Sequence, residues 1–339
     1  MSITINDNRV SSYFTKTTFS NFKKTELIKA FSQSLEEKNM EKGSYYISEM
    51  VCSGYYIEVW NMLINHICKF IHIANPRLII FLKHKMYRFK VLAKSVQKDD
   101  IELRNNSEIR NMFCELVIII CKSNSKTCLH EKKVKQDELN IEVISKKFQA
   151  RNFSYISNVF MEGDPREIYM ALNEFAYHLS PESNNYNMAC YWFEWIHTFD
   201  EYCRKKKQKI ACLPRNFTVV QKGKSDIVWC IWNCLINRSQ QLGKGVEKMM
   251  NCLCDLYQLK YDHNISKKRK MVIYNAIYIC IESIDFSIPL GNDHLTSEYL
   301  NTNTNKLYTI IKSSEIQIEK QETSNDDKIN NMNKYLYNF

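Results

Sequence analysis

Gly223-Lys224-Ser225 is the closing half of a phosphate-binding loop, in which successive backbone N–H groups wrap a phosphate while lysine and hydroxyl complete the cradle. The opening glycine of such a loop falls at position 218, where this chain has Thr218, and Val219 and Val220 fill what should be a turn. The stretch therefore reads as an inserted loop or hairpin. Thirteen cysteines and eight histidines offer two metal-like groupings, Cys121 with Cys128 and His130, and His197 with Cys203 and Cys212. Structural zinc takes four ligands, usually in two close pairs. No C-x-x-C occurs and neither grouping has that spacing, so buried cysteine is the better reading and no cofactor is expected. A Cys–His nucleophile pair can be drawn almost anywhere in such a chain, and no strand–turn–helix setting singles one out. No catalytic residue is named.

Two cationic runs carry a different chemistry. Arg204, Lys205, Lys206, Lys207 and Lys209 form the first, and Lys267, Lys268, Arg269 and Lys270 the second. Such runs suit DNA phosphates or a nuclear address; the alternative is a solvated helix end or loop. Trp192, Trp195, Trp229 and Trp232 are candidate stacking platforms for bases. They stand at helical spacing beside Phe193, Ile196, Ile231 and Leu235, which is the pattern of a core. The formal net charge of +10 is a mild basic bias compatible with an acidic partner.

The elements that must position these residues are helices. Only 7 Gly and 5 Pro occur in 339 residues, too few for a turn-dense sandwich, and the expected class is all-α. The cysteines lie mostly inside apolar helical runs, as with Cys114, Cys121, Cys230, Cys234 and Cys280, where a free thiol behaves as a small hydrophobe. With no secretory leader in MSITINDNRV, a reducing intracellular compartment, cytoplasm or nucleus, is expected. No apolar run approaches the roughly 20 residues of a membrane span.

Residues 1–21 are polar and aperiodic and read as a flexible arm. Helical spacing begins at Leu27, Phe31 and Leu35, resumes at Tyr45, Ile47, Met50 and Val51 with Gly54 as the stop, and continues through Val59, Trp60, Leu63 and Ile67 to Asn75-Pro76. A basic helix over 78–94 precedes a very apolar one over 108–121, the expected centre of the first core. The pattern then restarts. Leu172, Phe175 and Leu179 repeat the first spacing, and Tyr191-Trp192-Phe193 echoes Tyr45-Tyr46-Ile47. Trp232-Asn-Cys-Leu-Ile-Asn237 matches Trp60-Asn-Met-Leu-Ile-Asn65 at five of six positions. These echoes predict two related helical halves, 22–147 and 148–312, the second with a basic insertion at about 202–224, followed by a polar tail, 313–339.

Within the arm, Val10, Tyr13, Phe14 and Lys16 resemble the sliding-clamp-binding box, which projects one aliphatic and two aromatic anchors from a short turn; Asp7 stands at the position of the box's Gln. The helices from Leu27 to Pro76, with Tyr45-Tyr46 in the second and Ile73-Ala74-Asn75-Pro76 as the stop, resemble the C-terminal region of RarA/MgsA-type AAA+ ATPases, related to the oligomerisation collar of clamp loaders. The family's acidic pair before the stop is Lys69-Phe70 here, and the ATPase module is missing upstream. The resemblance implies a non-enzymatic replication or repair accessory protein that associates with itself, a sliding clamp or clamp-loader-like subunits near DNA. The Asn/Ile/Lys-rich composition suggests an AT-rich genome and fits a large DNA virus, whose replication site would then be the location. The rival expectations are a viral structural or scaffold protein without a nucleic-acid role, and an enzyme with an unrecognised site.

Overall fold

The computed structural model describes residues 3–96, 100–127, 133–217, 223–291 and 293–316. Among these residues the chain is all-helical, as its composition predicts, with no strand. In chain order the helices are α1 (Lys24–Glu36), α2 (Met40–Cys52), α3 (Tyr56–His66), α4 (Arg77–Ser95), α5 (Asp100–Asn105), α6 (Ser107–Lys122) and α7 (Ile141–Ile144). They continue as α8 (Tyr169–Leu179), α9 (Tyr186–Lys205), α10 (Val228–Gln240), α11 (Lys244–Tyr257), α12 (His263–Lys268), α13 (Lys270–Ile281) and α14 (His294–Lys312). No helix among the described residues is long and apolar enough to cross a membrane.

The chain forms two compact units, one of residues 1–126 with 287–339 and one of residues 127–286. In the first unit α6 is the central element. Its run Phe113–Ile120 is buried apart from Glu115, and α1, α2, α4, α5 and α14 all pack on it. Helix α2 begins where Asn39 accepts a hydrogen bond from the Lys42 N–H. It ends at Gly54, whose φ of 69° is the left-handed stop expected from the sequence. Gly43 lets α2 come close to α6: a Cβ there would lie 2.8 Å from Val117 Cγ1. Trp60 on α3 is fully buried against Phe113 and Phe89, with ring centroids 5.1 and 5.8 Å away. After α3 the chain passes through a π turn, Ile67–Ile71, and a 3-10 turn, His72–Ala74, and Pro76 precedes the first turn of α4.

In the second unit α8 and α9 pair closely, and α10, α11 and α13 close the core. Leu172, Phe175, Leu179, Trp192, Phe193, Trp229, Trp232 and Ile277 are buried. Asn185 caps α9 by accepting from the Met188 N–H. It stands six residues before Tyr191, as Asn39 stands six before Tyr45, so the two capping asparagines fall in the register of the Tyr-aromatic echo.

Two boundaries differ from those read in the sequence. The 1–21 segment is not a free arm over its described part. Ile5, Phe14 and Phe19 are buried, the Ile5 N–H donates to Asn105 Oδ1 at 2.8 Å, and Arg110 Nη1 donates to the Ile3 carbonyl at 2.6 Å. A short polar segment without periodicity still anchors itself where a few apolar side chains find a groove. Helix α14, placed with the second half by sequence order, packs on α2 and α6 of the first unit. Its Tyr308 and Ile311 are fully buried, and the Arg110 guanidinium lies 4.1 Å above the Tyr308 ring. Periodicity marks an apolar face; it does not say which face covers it. Residues 317–339 of the polar tail, with the short aromatic stretch Tyr335-Leu-Tyr-Asn-Phe339 that the sequence carries there, lie outside the described residues.

Candidate functional site

The site is built on one helix. Along α9, Glu194, His197, Asp200, Glu201 and Arg204 recur at spacings of three and four, which places them on one side of the helix. The two basic runs meet there. From the C-terminal end of α9, Arg204 donates to Asp200 at 2.9 Å and to Asp226 at 2.8 Å. From α12 and the start of α13, Lys267 pairs with Glu201 at 3.1 Å and Lys270 with Glu194 at 2.7 Å. His263 Nδ1 lies 3.7 Å from Asp200, Tyr261 donates to Asp226 at 3.0 Å, and the Tyr274 hydroxyl donates to Glu194. Burial pushes the Asp200 carboxyl up in spite of Arg204. Burial, with Lys270 adding to it, pushes His197 down to about 3.

This face sorts the nine candidate cations. Arg269 is not a surface contact. It is buried and donates to the Tyr257 carbonyl at 2.6 Å and to that of Leu259, and burial lowers its pKa to about 10. It ties the loop after α11 to the start of α13, a fixing role that the sequence reading did not foresee because a run of cations looks uniform. Arg204 and Lys270 are spent on the α9 carboxylates, and Lys267 and Lys209 are exposed but stand near Glu201 and Asp226, Lys209 at 3.6 Å. Lys205, Lys206, Lys207 and Lys268 are exposed and, among the described residues, form no ion pair. Lys206 Nζ lies 4.4 Å from the Tyr202 ring centroid. Lys207 terminates α9 with φ 60°, its N–H on the Arg204 carbonyl. The carbonyl end of a helix itself favours cations, so part of this lysine density serves α9.

The clamp-like box is divided by the fold. A 3-10 turn does form at Ser11–Tyr13, and Val10 and Tyr13 project from it at 37% and 57% exposure. Phe14 points inward at 1% exposure, flanked by the guanidinium groups of Arg9 at 5.0 Å and Arg104 at 5.4 Å. Lys16 is exposed. Asp7, at the position of the box's Gln, is buried in an ion pair with Arg9. Burial alone would raise its carboxyl, but Arg9 and the Ile316 and Arg9 backbone N–H groups hold it below the usual range.

The remaining candidates resolve as follows. Trp192, Trp195, Trp229 and Trp232 are buried core residues, not platforms. Gly223 uses its carbonyl to accept from Trp229 Nε1 at 2.6 Å, and Thr218 lies outside the described residues. Cys128 and His130 also lie outside them. The group that does converge is one the sequence did not suggest: Asp164, Cys212 and Cys230 are all buried, with ligand atoms within 4.8 Å of one another. It does not fit a cation. Both Asp164 oxygens are already filled, Oδ1 by Arg215 Nη1 at 2.7 Å and the Leu213 N–H at 3.0 Å, and Oδ2 by the Met161 N–H at 2.9 Å and Arg215 Nη2. A guanidinium already occupies the place of the positive charge.

No family model matches the chain, and neither a curated protein nor a solved structure matches it.

Proposed function

We propose that this protein is a non-enzymatic helical accessory factor that assembles on DNA, with the exposed lysines at the end of α9 and in α12 contacting the phosphate backbone. The observation that carries the reading is the convergence of the two basic runs on α9, with Lys205, Lys206, Lys207 and Lys268 left exposed beside carboxylates that already have partners. The collar-like order of helices and the matching asparagine caps support descent of both units from one helical module and, by that resemblance, a part in replication or repair.

The test is fluorescence anisotropy of a labelled oligonucleotide at rising salt. Four phosphate contacts give a slope near −0.9 per contact, so affinity should fall roughly a hundredfold between 50 and 200 mM salt. A variant with Lys205→Gln, Lys206→Gln, Lys207→Asn and Lys268→Gln should lose most of that dependence. Asn is used at 207 because it tolerates the left-handed backbone. Absence of DNA binding at low salt, or a variant that binds as well as the intact chain, would favour the scaffold reading, in which the lysines only satisfy the α9 carbonyl end.

Partner capture through the first unit is a separate expectation. With Phe14 buried, Val10 and Tyr13 are the anchors left for a sliding clamp. Tyr13→Ala should abolish retention of the intact protein on immobilised cognate clamp without lowering its melting temperature. Equal retention of both proteins would assign the turn to packing alone.

A further inference from the structure

Of the thirteen cysteines, two are set apart by position. Cys212 lies in the stretch between α9 and α10, where residues 208–217 form no helix, and Cys230 lies in the first turn of α10. Their Sγ atoms are within 4.8 Å of each other, and both are buried free thiols. Cys212 is tethered on both sides: its N–H donates to the Ser225 carbonyl at 2.9 Å, and as a neutral thiol its Sγ lies 3.2 Å from the Asp226 carbonyl. The Arg215 guanidinium stands beside the pair, fixed by Asp164.

We propose that Cys212 and Cys230 are a redox-active dithiol that a peroxide converts to an intramolecular disulfide, locking the inserted segment to α10. Cys212 is the attacking sulfur. Among the described cysteines with a displaced pKa it is the one whose thiol is pulled down: the neighbouring Cys230 thiol and then the Arg215 charge favour the thiolate, against burial and the Asp164 carboxylate. Elsewhere burial pushes the thiols up, Cys114 to about 11 and Cys121 and Cys234 to about 12. Thiolate character governs attack.

The step balances with hydrogen peroxide as oxidant. The Cys212 thiolate attacks one peroxide oxygen, the O–O bond breaks, and the departing hydroxide takes a proton to become water, leaving a sulfenic acid. Cys230 then attacks the Cys212 sulfur, loses its proton and expels the hydroxyl as a second water. Two thiols have lost two electrons and the peroxide has become two waters. Closing the bond brings the sulfurs to about 2.05 Å, a movement within side-chain reach from a separation under 4.8 Å. Reaction requires brief opening of the irregular segment, because both sulfurs are buried.

The experiment exposes the full-length folded protein to a small excess of hydrogen peroxide, removes the oxidant with catalase, blocks free thiols with N-ethylmaleimide and maps peptides without reduction. The expected product is one cross-linked species joining Cys212 to Cys230, present in most chains and reversed by dithiothreitol. Cys230→Ser, which keeps a donor beside Cys212 but cannot resolve the intermediate, checked for native helix content, should instead accumulate a dimedone-reactive sulfenic acid at Cys212. The proposal is overturned if the intact chain gives no Cys212–Cys230 cross-link, or if cross-links spread over other cysteine pairs at comparable rates. The intact-chain map decides the matter should the variant not fold.

Discussion

Asp164→Asn is expected to destabilise the second unit by about 3–5 kcal/mol, the cost of stranding one partner of a buried ion pair. The Asp164 and Arg215 side chains are 0% and 1% exposed. Burial would raise the Asp164 carboxyl, yet Arg215 and two backbone N–H donors hold it below its usual range. With the charge removed, the Arg215 guanidinium is left in a dry site with neutral acceptors alone, the Leu213 and Val159 carbonyls and the one amide oxygen that asparagine keeps. Arg215→Met should cost a similar amount for the mirror reason. Asp164→Leu with Arg215→Met should cost much less than the sum, because neither charge is then stranded. Urea unfolding followed by tryptophan fluorescence suits the measurement, since four of the five tryptophans lie in the second unit and only Trp60 in the first. Single variants within about 0.5 kcal/mol of the parent, the range of neutral surface changes, would show that the pair is solvated and of little weight.

Acid should weaken the first unit well before its carboxylates titrate. Burial, helped by Lys69, pushes His66 down to about 4, and burial, helped by Lys126, pushes His72 down to about 3. His72 is 1% exposed and holds a backbone φ of 57°, and its Nδ1 accepts the Ile73 N–H at 2.7 Å, which requires the neutral ring. The folded values lie below the unfolded value near 6.5. The unfolded chain therefore binds the extra protons, and stability is fully present above pH 6.5 and lost as pH falls toward 4 and 3. Each histidine contributes up to about 1.4 kcal/mol per pH unit once the pH is below 6.5, so the pair removes about 3 kcal/mol between pH 6.5 and 5. His66→Gln with His72→Asn should flatten that slope by close to two protons, Asn again being suited to the positive φ. An unchanged slope in circular-dichroism melts across this window would mean that both rings are hydrated in the native state.

What the sequence made legible follows from short-range physics. The spacing of Leu27, Phe31 and Leu35, the stop at Gly54, the apolar run of α6 and the core placement of the tryptophans are consequences of helix periodicity and of glycine's freedom at positive φ. The basic runs were visible as cations, but their division into buried, paired and exposed members depends on carboxylates elsewhere in the chain. Part of that signal was present: Asp200 and Arg204 are four residues apart on α9, and Glu194 and Glu201 lie on the same side. The Asp164–Arg215 pair, the meeting of Cys212 with Cys230 and the seat of Phe14 between two arginines join residues far apart in the chain, and no local pattern announces them.

The placement of α14 against α2 and α6 sets an order of events during translation. The first unit is assembled from two stretches of chain, with the whole second unit made between them. At about 5–20 residues per second, α1–α6 wait roughly 10–40 s after their own synthesis before α14 leaves the ribosome. Throughout that interval the surfaces of α2 and α6 that Tyr308 and Ile311 will cover are open to water. The second unit is complete before then, so the later-coded unit finishes folding first, and the nascent chain carries an exposed apolar seam that a ribosome-associated holdase is suited to shield.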